Sequence, residues 1–447
     1  MFYKYCFYYP AVFIKTKNFF TCLDELNKSQ YFSKQQLDKR RLEKLNSIVE
    51  FAKSNIPYYK KSLAHVENGM LTSVQDIDKL PFINKVDLKT TPQLFVPQNK
   101  SLFVTSKTTG GSTGQPVTIL KTREAMGAEL AATWRGYSWA GVKIGDMQAR
   151  FWGLSYDARK ARAARVTDFV CNRIRLSAFS YTSDTLSNYR KILRDKRPDY
   201  YYGYVSMLVE YAGYIRTSSA KNRVAKNLKA IITTSEVLHK SQKELLEDTF
   251  GVKVYNEYGC GEIGTIAHEC EYGNMHVSDE NIILETINDS GVCAPGEVGE
   301  IVVTELSNKA FPLIRYRLGD YGSVSDRACP CGRNLQILDG LKGRAYDIVE
   351  SPDGRKFHGE FFMYIFEDAE RMGLGVAKFQ VIQEGLEQIR IKIVPGHSYK
   401  QDELEKLVRE YVGKNLGTTV HVVFEVVEDI SREMSGKMRL IVGLDSL

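Results

Sequence analysis

The chain has 447 residues, 43% of them hydrophobic and 26% charged, with 34 glycines and only 12 prolines. That composition excludes extended disorder, collagen-like sequence and a small disulfide scaffold, and the length suits two or three domains with cores of their own. The net charge of +7, from 61 basic against 54 acidic residues, is too mild to indicate nucleic acid by itself. Eight cysteines are too sparse for a disulfide framework and imply a reducing cytoplasm.

In chain order, the N-terminal stretch MFYKYCFYYPAVFIKTKNFF comes first. Its uncharged run ends at Ile14, contains Pro10 and falls short of the roughly 18–20 apolar residues that cross a bilayer. We expect an aromatic segment that packs on the protein, with a shallow contact at the inner face of the membrane as the alternative. Leu37, Leu42, Leu45, Ile48 and Phe51 recur at helical spacing, and Pro57 ends that run. Helices are predicted over Arg123–Trp134 and Asp184–Asp195, the second with Ser183 as N-cap. Lys229–Ser235 and Val252–Tyr255 read as short strands, followed by strands at Asn281–Glu285, Gly299–Glu305 and Phe311–Tyr316. After Gly343 the pattern becomes β-β-α-β: Phe379–Gln383, Gln388–Pro395, helix Lys400–Leu416 and Val420–Val427. We therefore expect an α/β fold, with a large N-terminal domain over residues 1–343 and a small α+β domain over 344–447.

The strongest local signal is Thr108-Thr109-Gly110-Gly111-Ser112-Thr113-Gly114-Gln115-Pro116. Three glycines let the backbone wrap a phosphate, while hydroxyls and N–H groups donate to its oxygens. A P-loop would carry Lys-Ser/Thr where Gln115-Pro116 stands, so that reading falls, and a flexible surface loop remains the plain alternative. Four further stretches follow in order: Tyr258-Gly259-Cys260-Gly261-Glu262, Tyr316-Arg317-Leu318-Gly319-Asp320, Gly343-Arg344-Ala345-Tyr346-Asp347 and Ser435-Gly436-Lys437. Together they resemble the core motifs of the adenylate-forming superfamily over roughly residues 35–445. Asn55-Ile56-Pro57-Tyr58-Tyr59 and Leu80-Pro81-Phe82-Ile83-Asn84-Lys85 are similar to its phenylacetate–CoA ligase-like branch, which includes relatives from capsule and surface-polysaccharide biosynthesis.

The resemblance implies ATP-dependent activation of a carboxylic acid through an acyl-adenylate, then transfer to coenzyme A or to an amine. It assigns the Thr108–Gly114 stretch to the phosphates of ATP, Glu262 to Mg²⁺, and Tyr258-Gly259 with Ser235-Glu236 to the adenine. Asp320 would hold the ribose, Arg344 at the domain boundary would bind the nucleotide, Asp347 would serve as the hinge of a mobile lid, and Lys437 would bridge the attacking carboxylate and the α-phosphate. Three positions depart from the pattern. Gly261 stands where Ser or Thr is usual, Val117 where many relatives have Lys, and Tyr346 where a second acidic residue is common. The departures keep a non-catalytic nucleotide- and zinc-binding scaffold in view as an alternative.

A second constellation supplies metal ligands. Cys270 and His276 lie six residues apart, and Cys329-Pro330-Cys331-Gly332 offers two more sulfurs on a tight turn. Three sulfurs and one nitrogen make a closed tetrahedral set for structural Zn²⁺, against the alternative of buried free thiols. The spacing leaves His268 open in place of His276, and Cys260 in place of Cys270. Trp134, Tyr137 and Trp139 suit either an acyl pocket or ordinary helix packing.

Overall fold

The computed structural model describes residues 2–67, 71–98, 104–109, 117–153, 158–177, 182–217, 227–325, 327–342, 348–430 and 440–444. The fold is mixed α/β, and the chain divides into two compact units. One gathers Met1–Thr109, Val117–Asp146 and Tyr255–Gly343, and the other gathers Gly110–Pro116, Met147–Val254 and Arg344–Leu447.

In the first unit the N-terminal aromatic stretch is helical over residues 2–15, with a π-helical turn at Lys4–Tyr8 continuing into Tyr9–Lys15. Tyr8 and Val12, one turn apart, are buried, and the Trp134 indole N–H donates to the Tyr8 hydroxyl. Arg123 donates to the carbonyls of Phe13 and Thr16. Helix Lys34–Asn55 starts at a capping box formed by Ser33 and Gln36 and buries Leu37, Leu45, Ile48 and Val49. Pro57, which ends that run, also opens the short helix Pro57–Ser62, where its missing N–H costs nothing.

Strands Val104–Thr109 and Val117–Thr122 form an antiparallel hairpin closed by the pair Thr109–Val117. Thr122 then caps helix Arg123–Trp139, accepting from the Ala125 N–H at 3.1 Å. The sheet of this unit runs in the order Gly291–Val292, Ile282–Asn288, Gly299–Glu305, Tyr316–Ser325, Ile337–Lys342, Met275–Val277, Gly264–Glu269 and Val254–Cys260, each neighbour antiparallel. Its core joins Leu45, Ile48, Ile56 and Tyr59 to Ile266, Val303, Phe311 and Ile314.

In the second unit, Arg173–Ser177, Gln148–Trp152, Tyr200–Tyr204 and Ala230–Thr234 pair in parallel. Phe151, Tyr201 and Ile231 pack on Leu193, Tyr211 and Leu246 from helices Ser183–Lys196, Val205–Thr217 and Lys240–Phe250. The C-terminal part holds a sheet in the order His421–Val426, Gln388–Pro395, Val376–Gly385, Ile441–Val442. Helices Glu360–Arg371 and Gln401–Asn415 contribute to its core, where Phe366 stacks on Phe379.

Three sequence expectations are corrected. Thr182, not Ser183, caps helix Ser183–Lys196, accepting from the Thr185 N–H at 3.1 Å. Phe311–Ile314 is not a strand: Arg315 adopts a left-handed backbone (φ 51°) that ends any extended run, and the strand starts at Tyr316. The motif Tyr258-Gly259-Cys260 lies within strand Val254–Cys260 rather than after it. Helix Glu360–Arg371 was missed because FFMYIF is a short apolar run that periodicity cannot assign to helix or strand.

Candidate nucleotide-binding and metal sites

Two backbone segments of the first unit carry Tyr258 with Glu262 and Tyr316 with Asp320, and they are laced together reciprocally. The Tyr258 hydroxyl donates to Asp320 Oδ2 at 3.0 Å, and the Tyr316 hydroxyl donates to Glu262 Oε1 at 3.3 Å. Each segment thus gives one phenol to the other's carboxylate. Strand Tyr316–Ser325 is fixed in turn by Ile83, whose N–H donates to the Arg315 carbonyl while its own carbonyl accepts from the Arg317 N–H. Two residues further on, Lys85 Nζ lies 3.5 Å from Glu262 Oε1. Glu262 is buried, so this cation offsets its desolvation. Gly259 is a close approach: a Cβ there would stand 2.4 Å from the Gly264 carbonyl oxygen. Burial pushes the Cys260 thiol well up.

The Cα trace of Thr108 and Thr109 belongs to strand Val104–Thr109. Gly110, Gly111, Ser112, Thr113, Gly114, Arg344, Asp347 and Lys437 lie outside the described residues. Ser235 and Glu236 belong to the second unit, immediately after strand Ala230–Thr234. Ser235 is left-handed (φ 68°), and the Glu236 carboxylate accepts from Ser206 N–H at 2.6 Å and Ser206 Oγ at 2.9 Å, capping helix Val205–Thr217.

The hairpin that flanks the glycine-rich stretch is anchored by buried charge. Lys121 is fully buried, with Nζ 2.7 Å from Glu305 Oε1 and 3.3 Å from the Ile263 carbonyl, and Glu129 Oε2 at 3.8 Å. Glu129 also takes an ion pair from Lys107 on the other strand. Burial works against the Lys121 ammonium, but Glu305 and Glu129 outweigh it and hold its pKa above the usual lysine range. Lys121→Met would leave a buried carboxylate uncompensated and is expected to cost about 3–5 kcal/mol, read by urea unfolding. Unchanged stability would mean the network contributes nothing.

The metal candidates are brought together. One donor atom each from Cys270, His276, Cys329 and Cys331 all fall within 4.8 Å of one another. Cys270 Sγ is 3.7 Å from Cys329 Sγ, and Cys331 Sγ is 3.2 Å from His276 Nε2. Two turns present the sulfurs, each using a left-handed glycine: Gly273 (φ 79°), whose N–H returns to the Cys270 carbonyl, and Gly332 (φ 77°), whose N–H returns to the Cys329 carbonyl. Burial lowers His276 to about 4, favouring the neutral, ligating imidazole, and its Nδ1 lies 3.2 Å from the Leu335 carbonyl. Burial pushes the Cys270 thiol up to about 12. At Cys329 burial acts the same way, but the backbone N–H and side chain of Cys331 and the Asn274 amide, 3.0 Å from its sulfur, bring that thiol below the usual range.

The support around the donors is also defined. Trp139 packs edge-on to His276, Arg333 lies over Trp139, and Gln30 Oε1 accepts from both. His268 stands elsewhere, 2.9 Å from Glu257 and edge-on to Tyr137. Trp134, Tyr137 and Trp139 are therefore engaged with Tyr8, His268 and His276. Lys85, Tyr316 and Asn274 escaped the sequence reading, although Lys85 and Tyr316 sit inside motifs it quoted. Their roles are tertiary, and nothing in residue spacing encodes them.

Residues 349–443 match the family model of the CapK C-terminal domain. A phenylacetate–coenzyme A ligase of Thermus thermophilus is 24% identical over 323 residues, covering 69% of this chain and 70% of its own length. Protein CapK of Staphylococcus aureus is 21% identical over 437 residues, 93% of this chain and 95% of its own. A 2-hydroxyisobutyryl-CoA ligase in the postadenylation state superposes with a TM-score of 0.59 at 18% identity, covering 92% of this chain and 90% of that one.

Proposed function

For a chain related to the phenylacetate–CoA ligases and CapK, acyl-CoA ligase-like in sequence and built on the fold of adenylate-forming CoA ligases, we propose that it activates a carboxylic acid with ATP and passes the acyl group to coenzyme A. The observation that carries this reading is the reciprocal pairing of Tyr258 with Asp320 and Tyr316 with Glu262. It holds two carboxylates at fixed places on adjoining segments, as binding a nucleotide and its magnesium ion requires.

A carboxylate oxygen of the acid attacks the α-phosphorus, the bond to the bridging oxygen breaks, and pyrophosphate leaves. The resulting mixed anhydride is then attacked at its acyl carbon by the acceptor thiol, and AMP departs. Asp320 accepts from the ribose hydroxyls with an oxygen that the Tyr258 phenol orients. The Thr108–Gly114 stretch donates to the phosphates, and Tyr258-Gly259 and Ser235-Glu236 are the residues assigned to the adenine. Lys437 stabilises charge that builds only in the transition state. Residues 344–447 act as the lid domain with its hinge at Asp347, and 1–343 as the nucleotide-binding domain, with Arg344 at the boundary serving the nucleotide.

The hard carboxylate oxygens of Glu262 fit Mg²⁺, which would neutralise phosphate charge. Cys270, His276, Cys329 and Cys331 fit structural Zn²⁺: the donor set is complete, leaving no position for substrate. Similarity to CapK along 93% of the chain supports a role in surface-polysaccharide biosynthesis and keeps an amine acceptor as the second reading.

Asp320→Ala is expected to raise the KM for ATP by roughly tenfold or more, since hydrogen bonds to a charged group contribute about 1.5–3 kcal/mol. Tyr258→Phe should move KM in the same direction by less. An unchanged KM for ATP in Asp320→Ala would overturn the nucleotide assignment.

A further inference from the structure

The helical segment over residues 2–15 has two unlike faces. Tyr8 and Val12 are buried, Tyr8 against Trp134 of helix Arg123–Trp139, while Phe2, Tyr5, Phe13 and Ile14 are 66%, 58%, 75% and 72% exposed. Phe2, Tyr5, Cys6, Phe13 and Ile14 are exposed along the segment, and Tyr9 is half-buried. The rings support one another: Phe2 packs edge-on to Phe7, Tyr5 edge-on to Tyr9, and Tyr9 edge-on to Phe20 of the next helix. Exposed aromatic residues so concentrated are not the scattered apolar residues of an ordinary surface.

Charge identifies what covers this face. Residues 2–23 contain Lys4, Lys15 and Lys17 and no aspartate or glutamate. Lys15 is exposed at the last turn of the helix, the Lys4 ammonium lies over the Tyr5 and Tyr9 rings, and Lys17 pairs with Glu124 at 2.9 Å. An exposed aromatic surface along about 20 Å of helix, with lysines beside it and no carboxylate of its own, suits the headgroup region of an anionic bilayer, where Tyr and Phe rings sit at the apolar boundary and ammonium groups meet phosphate. Such a helix lies in the plane of the membrane. Among the described residues no helix is long and apolar enough to cross one.

We propose that the Phe2–Ile14 face docks the protein on an anionic lipid surface. Its inner side stays on helix Arg123–Trp139 through Tyr8 and Trp134, so the contact needs no unfolding.

The test is sedimentation of the full chain with phosphatidylcholine vesicles, with and without phosphatidylglycerol, for wild type, Phe13→Ser/Ile14→Ser and Lys15→Glu. Wild type is expected to bind the anionic vesicles, more weakly at high salt, with affinity falling roughly tenfold or more in the double variant and less in Lys15→Glu. All three should keep the same melting temperature, because the substituted side chains are exposed. Equal binding by wild type and the double variant would overturn the proposal, as would no binding by wild type. If light scattering finds a wild-type dimer that the double variant breaks, without vesicle binding, the face joins two copies of this chain and the lipid assignment falls.

Discussion

Removing the ion from Cys270, His276, Cys329 and Cys331 is expected to lower the melting temperature by roughly 10 °C, with about one zinc per chain released. The magnitude follows from linkage: an ion at about 1,000 times its dissociation constant stabilises the folded state by about 4 kcal/mol, and each kcal/mol moves a domain of this size by roughly 2–4 °C. The site explains why the loss would be felt so strongly. Its donors sit in a cluster with Leu37, Trp139, Leu335 and Ile337, so an empty site leaves three sulfurs and an imidazole facing one another without the ion that would bind them together. Cys329→Ser should reproduce the effect and leave the remaining thiols open to alkylation. Metal analysis together with differential scanning calorimetry would decide the matter. A protein that carries no metal as isolated and melts at the same temperature with and without chelator would return the four residues to ordinary buried thiols.

Lys437→Ala is expected to slow adenylation by about 10²–10³-fold while ATP still binds, because the role proposed for Lys437 is to stabilise charge that develops only as the α-phosphate is attacked. The signature is a fall in kcat with the dissociation constant for ATP little changed. Lys437→Arg should recover a part of the rate, since charge is kept but its position is not. A variant that turns over near the wild-type rate would remove Lys437 from the mechanism and weaken the carry-over from the ordered motifs.

The α/β fold and the relation to CoA ligases were legible because they reside in local signals: runs of Gly, Ser and Thr, the strand Gly299–Glu305, and the alternation from Phe379 onward. The donors of the metal cluster were legible for the same reason, since two short turns carry three of the four. Local spacing could not choose between His268 and His276. The choice depends on strands Gly264–Glu269 and Met275–Val277 pairing so that His268 stands opposite His276 yet reaches Glu257 instead.

The reciprocal tyrosine–carboxylate pairs were invisible, because Tyr258 and Asp320 are 62 positions apart and meet only through the sheet. Lys121 was hidden by its chemistry: a lysine in a strand reads as a solvated edge, and only Glu305, 184 positions away, makes its burial tolerable. The N-terminal helix escaped because aromatic residues fill both of its faces, which erases the periodicity that marks an amphipathic segment.

The most direct test of the account is exchange of labelled pyrophosphate into ATP, measured with the full chain across aryl, fatty, hydroxy and amino acids and without any acceptor. The account predicts exchange that depends on magnesium and on one class of acid. Demonstrable ATP binding with no exchange for any acid would contradict it and leave a nucleotide-binding scaffold in its place.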